Sequence, residues 1–220
     1  MSKLEFIGRK YVSDSPFPVI KLAPSEKHSV RTFAVRRALQ QRNNNYYERR
    51  NQHHISVIRR QILTGKIGEM IAYKTLLQLG YPYVPFQPPD LQIYPPAQKS
   101  FVADLSSSRH TFFVKASSVS SRWFQSWMFQ NSKDGNGVDV DFYESLGDED
   151  SITIFTAVDE SCFLGKIMCL TDNLLLGAKY GDFDIPMRPD KRREKDVVYC
   201  TGLIVRGLFP TPKNYDWISS

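Results

Sequence analysis

The chain has 220 residues, of which 41% are hydrophobic and 13% aromatic, enough to bury one sizeable core with appended segments. No run of about eighteen apolar residues and no apolar stretch behind the charged N-terminus point to a membrane span or an export signal. Cys162, Cys169 and Cys200 are odd in number and widely spaced, without the CxxC pair of a zinc site or redox switch, so a soluble protein of the reducing cytoplasm is expected. The net charge of +6 is uneven: residues 1–115 hold 18 Lys and Arg against 7 Asp and Glu, and residues 116–220 hold 11 against 16. A polyanion would be drawn to one half of such a molecule, and membrane attachment is disfavoured by the lack of a basic amphipathic helix with a bulky apolar face.

Residues 1–26 carry Pro16, Pro18 and Pro24 among short apolar pieces, a density of missing amide donors that suits an extended arm or edge segment. From residue 30 to 61, Arg31, Arg36, Arg37, Arg42, Arg49, Arg50, Arg59 and Arg60 face a single acid, Glu48. This stretch reads as two basic helices with a break at Asn43, Asn44 and Asn45, whose side chains compete for backbone hydrogen bonds. Residues 64–79 then form a helix that Gly80 caps and Pro82 ends. Gly65, Glu69, Ala72 and Tyr73 share one of its faces, where the small Gly65 and Ala72 would let a sheet approach and set Glu69 at the junction.

The segment 81–98 has six prolines and reads as a rigid connection. It leads into a hairpin: a first strand from Phe101 through Asp104, a short polar turn and a second strand from Thr111 to Lys115. The aromatic stretch 123–130 reads as a further strand, followed by an acidic loop over 133–150. Strands are expected at 151–158 and 162–170, a short helix at 174–180, a charged loop at 186–196 and a last strand at 197–205.

Two carboxylates, one ammonium and a basic half suggest phosphodiester chemistry. Hydrolysis of that bond needs charge neutralisation at the phosphate, an activated water and a stabilised leaving oxygen, and a hard cation supplies several of these together. Magnesium takes oxygen ligands and keeps several waters, so Asp104, Glu69 and the Val114 carbonyl suffice as protein ligands. Lys115 would orient or activate the water, or stabilise developing negative charge.

The order Gly65-Lys-Ile-Gly68-Glu69, Ala103-Asp104-Leu105 and Val114-Lys115-Ala116-Ser117 resembles the PD-(D/E)xK nuclease superfamily over residues 64–170. The resemblance implies a restriction-endonuclease-like α/β fold, a mixed central β-sheet flanked by helices, with the metal-bearing aspartate at Asp104, the lysine at Lys115 and the helical acid at Glu69. Ala103 stands where the pattern has a proline, and Phe113 where it has a second acid. A basic helical N-terminal region, residues 1–62, would precede a nuclease-like core, residues 63–220.

Other groups carry weaker signals. His53-His54 lacks the spaced partners of an HNH centre, and His110 reads as a turn residue. Asp90 ranks below Glu69 as the replacement acid, while Asp139 and Asp141 sit in a solvated loop. Trp123, Phe124, Trp127 and Phe129 read as strand-face aromatics, and Lys191-Arg192-Arg193 as a solvated cluster. For DNA, Arg36, Arg37, Arg59 and Arg60 are the phosphate-contact candidates. The sequence thus reads as a magnesium-dependent endonuclease for double-stranded DNA, acting as a homodimer or by two sequential nicks. The alternative is a catalytically inactive DNA-binding protein with the same fold.

Overall fold

The computed structural model describes residues 15, 17–42, 54–94, 103–121, 126–130, 150–172, 187–190 and 195–201. Among the described residues the first elements are strand β1 (Val19–Lys21) and helix α1 (Pro24–Arg42). Pro24 at the first helical position needs no amide partner. Glu26, one turn in, reaches back to accept the Ala23 N–H at 2.5 Å, the reciprocal half of a capping box. The same carboxylate takes Lys74 Nζ at 2.8 and 2.9 Å, tying α1 to the next helix.

Helix α2 (Ile55–Gln78) starts at His54, whose Nδ1 accepts from the Ser56 amide. It ends as the sequence predicts. Gly80 adopts φ 78°, its N–H donates to Leu77 O at 3.1 Å and Tyr81 N–H donates to Leu76 O at 3.0 Å. These are the two bonds of a Schellman motif, and Leu76 and Tyr81 complete it by sharing one core cluster. The expected division between residues 62 and 63 falls inside α2, so Arg59, Arg60 and Glu69 belong to one continuous helix.

Five strands form a mixed sheet in the order β1-β6-β5-β3-β2. Strand β2 (Leu105–Ser106) runs antiparallel to β3 (Thr111–Ser118), with Leu105 opposite Phe112. A hairpin forms where expected, but its first strand is two residues long, Asp104 lies just before it, and Phe101 lies outside the described residues. Strand β5 (Ser151–Asp159) lies parallel to β3, and β6 (Leu164–Asp172) returns antiparallel to β5. Strand β1 pairs with the outer edge of β6, so the proline-rich N-terminal segment includes an edge strand. A separate antiparallel sheet contains β4 (Ser126–Gln130), β7 (Met187–Asp190) and β8 (Lys195–Thr201), ordered β4-β8-β7. Strand β7 occupies part of what reads in sequence as a charged loop. The Asn43–Asn45 break, the expected helix at 174–180, Asp139, Asp141 and the basic cluster at 191–193 lie outside the described residues.

Helix α2 packs across the five-stranded sheet. Ala72 and Leu76 meet Phe112, Ile152, Ile154 and Ile167, while Ile67 and Ile71 meet Val158, Ile20 and Val30. Every residue of β5 is buried, as expected of a central strand covered on both faces. Helix α1 joins through Val30 and through the contact of Ala38 with Ile58.

The close approach of helix to sheet differs in one residue from the expected one. A Cβ at Gly65 would meet nothing within 4 Å, whereas at Gly68 it would lie 2.6 Å from both Ala116 Cβ and Thr156 Oγ1. Gly68 is therefore the glycine that lets α2 settle on β3 and β5. It sits next to Glu69, and this contact fixes the depth at which Glu69 enters.

Candidate active site at the sheet edge

Alternation along β3 sends Phe112, Val114 and Ala116 toward α2, where they pack on its apolar face. Phe113 and Lys115 consequently project from the opposite face. Asp104 lies just before β2, the terminal strand of the sheet. Groups from both faces can meet only around such an edge.

The Asp104 carboxylate is fixed by the backbone. Its Oδ2 accepts the Val114 N–H at 2.7 Å, extending the hairpin register beyond β2 with a side chain. Within a strand, the N–H and C=O of one residue point to the same side, so the Val114 carbonyl also lies on the edge facing Asp104. Burial raises the Asp104 carboxyl above its ordinary range, against the lowering effects of the Val114 amide, Lys115 and Lys66.

Glu69 enters from α2 as one of two buried acids among the described residues, with 8% of its surface exposed. Its carboxyl is pushed up to about 8, first by burial and next by the nearby charge of Asp104, with a smaller contribution from Asp90. Lys66 opposes this: its Nζ lies 2.5 Å from Glu69 Oε2, one helical turn earlier. The same ammonium sits 5.2 Å from the centre of the Phe33 ring on α1. Two carboxylates and two ammonium groups thus converge from three elements, Lys66 and Glu69 from α2, Asp104 from the edge and Lys115 from β3. Lys66 was not singled out from sequence. Its signal was local, a Lys three residues before a Glu on a helix, which is ordinary on a solvated face and informative only once burial is known.

Among the described residues, no three His, Cys, Asp or Glu side chains gather as a metal-binding group. The donor set that is present consists of hard oxygens, Glu69 buried and Asp104 partly buried, with Lys66 and Lys115 supplying the opposing charge. Magnesium fits such a set because it retains most of its own waters. Asp90, ranked below Glu69 as the replacement acid, is exposed, and its oxygens are engaged by the Gln92 amide at 2.8 Å and the Tyr94 hydroxyl at 2.7 Å. It acts on Glu69 only through its charge.

The arginines divide into two groups. Arg36, Arg59 and Arg60 are exposed. Arg37 is partly buried and donates to Gln40 Oε1 at 2.5 Å and to Tyr94 O at 3.4 Å, so its guanidinium holds the proline-rich loop against α1. His110 does more than terminate a turn: it is buried, and its Nδ1 lies 2.8 Å from the Tyr81 hydroxyl, which also contacts Ser107 Oγ at 2.7 Å. This network locks the hairpin tip to the end of α2. A second clip works at the far end of β3, where Glu160 accepts from Thr64 Oγ1 at 2.5 Å and Ser118 Oγ at 2.8 Å.

No protein family model, curated protein or solved structure matches the chain. Among the described residues, no helix is long and apolar enough to cross a membrane. The architecture is a mixed α/β fold, and the functional reading rests on the chemistry at its edge.

Proposed function

We propose that this protein is a magnesium-dependent endonuclease of double-stranded DNA, with a restriction-endonuclease-like core of the PD-(D/E)xK type. The observation that carries the reading is that the Asp104 charge reaches the buried Glu69 carboxyl while the Lys115 ammonium acts on Asp104, whose carboxylate is held by the Val114 amide. Glu69, Asp104 and the Val114 carbonyl are the groups that would hold magnesium. When bound, the cation would neutralise phosphate charge and make a coordinated water more acidic.

The chain's own groups do the remaining work. Asp104 is held in place by the Val114 amide, which limits its loss of side-chain freedom on binding a cation. Lys115 approaches from the other face, where its ammonium can orient the attacking water and stabilise charge growing on the phosphate. Lys66 compensates Glu69 within the buried helix face. Arg36, Arg59 and Arg60 offer exposed cations to the DNA backbone.

Supercoiled plasmid incubated with magnesium tests the proposal directly. The wild type should nick or linearise it, while Asp104→Ala and Lys115→Ala should not; an intact plasmid with the wild type, or equal cutting by all three proteins, refutes it. One observation favours a second reading, a DNA-binding protein without catalysis: Phe113 occupies the acid position beside Lys115. DNA binding by a cleavage-inactive wild type would select that reading.

A further inference from the structure

A line of aromatic rings leads from the carboxylates to the tip of the β2–β3 hairpin. Tyr73 lies one helical turn beyond Glu69, and its ring centre is 4.9 Å from that of Phe86. Phe86 meets Tyr81 at 5.0 Å, and Tyr81 meets Tyr83 at 5.5 Å. The Arg109 guanidinium then lies 4.9 Å from the centre of the Tyr83 ring and donates to its hydroxyl. Tyr81 is core, but Tyr73, Tyr83 and Phe86 are each partly exposed and Arg109 is exposed. The line follows the terminal strand of the sheet, where Gln87 bridges Ser106.

Resting on the nuclease reading above, we propose that the strip receives an unpaired DNA strand, so that the preferred substrate is a duplex carrying a single-stranded tail beside the cleaved phosphate. A paired base hides both faces in the stack, whereas an unpaired base can lie against an aromatic ring or a guanidinium plane. Arg109 is suited to this role because its inner face and one N–H are already fixed on Tyr83, leaving the outer face of a flat cation toward solvent. From the level of Val114, where Asp104 is anchored, to the tip at His110 is four residues, roughly 13 Å at about 3.3 Å per residue. That span accommodates a few nucleotides between the cutting site and the stacked base. The exposed arginines of α1 and α2 remain available to the paired part.

Binding measured in EDTA separates this inference from catalysis. Fluorescence anisotropy of the full chain would compare a blunt duplex with the same duplex carrying an unpaired tail of about ten nucleotides, on either strand. The tail should tighten wild-type binding by about tenfold. Tyr83→Ala and Arg109→Ala should lose most of that gain while binding the blunt duplex as before, and Tyr83→Phe should retain much of it. Arg109 is exposed, so its variant should melt like the wild type and keeps the test valid if Tyr83→Ala unfolds. Equal binding of blunt and tailed duplex by the wild type, or an undiminished tail preference in Arg109→Ala, overturns the strip. If the wild type binds neither probe, the DNA reading itself falls and the strip falls with it.

Discussion

Replacing Glu69 with Gln should remove much of the pH dependence of folding stability. The carboxyl titrates at 4.5 when unfolded and at about 8 in the folded protein. Between those values the folded state holds a proton that the unfolded state has released, so stability is greatest at acid pH and declines as pH rises through the folded value. At about 1.36 kcal/mol for each pH unit in that window, the full effect is on the order of 5 kcal/mol. Gln has the shape of the protonated acid and does not titrate. The opposing pull of Lys66 is already contained in the folded value of about 8, so Glu69→Gln should gain a few kcal/mol at pH 8, on the order of that full effect. Urea unfolding followed from about pH 5 to 9, with the denaturant slope checked for constancy, gives the two curves. The wild type should lose stability steadily while the variant stays comparatively flat, and parallel curves would refute Glu69 as a buried proton carrier. Magnesium should raise the wild-type midpoint at pH 8 and leave Glu69→Gln nearly unchanged, because the cation has to replace that proton.

Gly68→Ala should destabilise the fold by about 1–3 kcal/mol despite improved helix propensity, since the new Cβ would meet the backbone-fixed Cβ of Ala116 at 2.6 Å. Gly65→Ala, three residues earlier with open space around it, should stabilise by up to about 1 kcal/mol; thermal melts of the two variants should move in opposite directions. Asp104→Asn keeps an acceptor for the Val114 amide and should fold normally without cutting plasmid, whereas Asp104→Ala strands that N–H at a cost of about 1–3 kcal/mol, measurable by chemical denaturation. Replacing Arg36, Arg59 and Arg60 together with Gln should flatten the dependence of DNA affinity on salt by about 0.9 in log–log slope for each lost contact. An unchanged slope would remove all three from the interface.

Glu69 and Asp104 mark the limit of what could be read in advance. The end of α2 was legible because a Schellman cap needs only Gly80 and its neighbours, and the β2–β3 hairpin because a polar turn separates two apolar runs. The electrostatic coupling of Glu69 to Asp104 spans 35 positions and required the shared site to be guessed from the order of residue types. Gly65 and Gly68 were indistinguishable as small residues on a helix; only the position of Ala116 and Thr156 beneath α2 separates them. Lys66 carried no distinguishing signal and His110 read as a turn residue, because their burial comes from the packing of distant elements.

By itself the sequence determined the local pieces: the helix end at Gly80, the hairpin that carries Asp104 and Lys115, the adjacent strands around residue 160, and the basic excess of the first half. These follow from backbone preferences, caps and periodicity, which act over a few residues. Tertiary structure alone decided the parallel pairing of β3 with β5, the attachment of β1 to β6, and the meeting of groups from both sheet faces around the β2 edge. Those outcomes depend on which apolar faces bury one another and on the desolvation that follows, and desolvation is what turns Glu69 from one of the chain's 23 acids into a carboxyl that holds its proton to about pH 8.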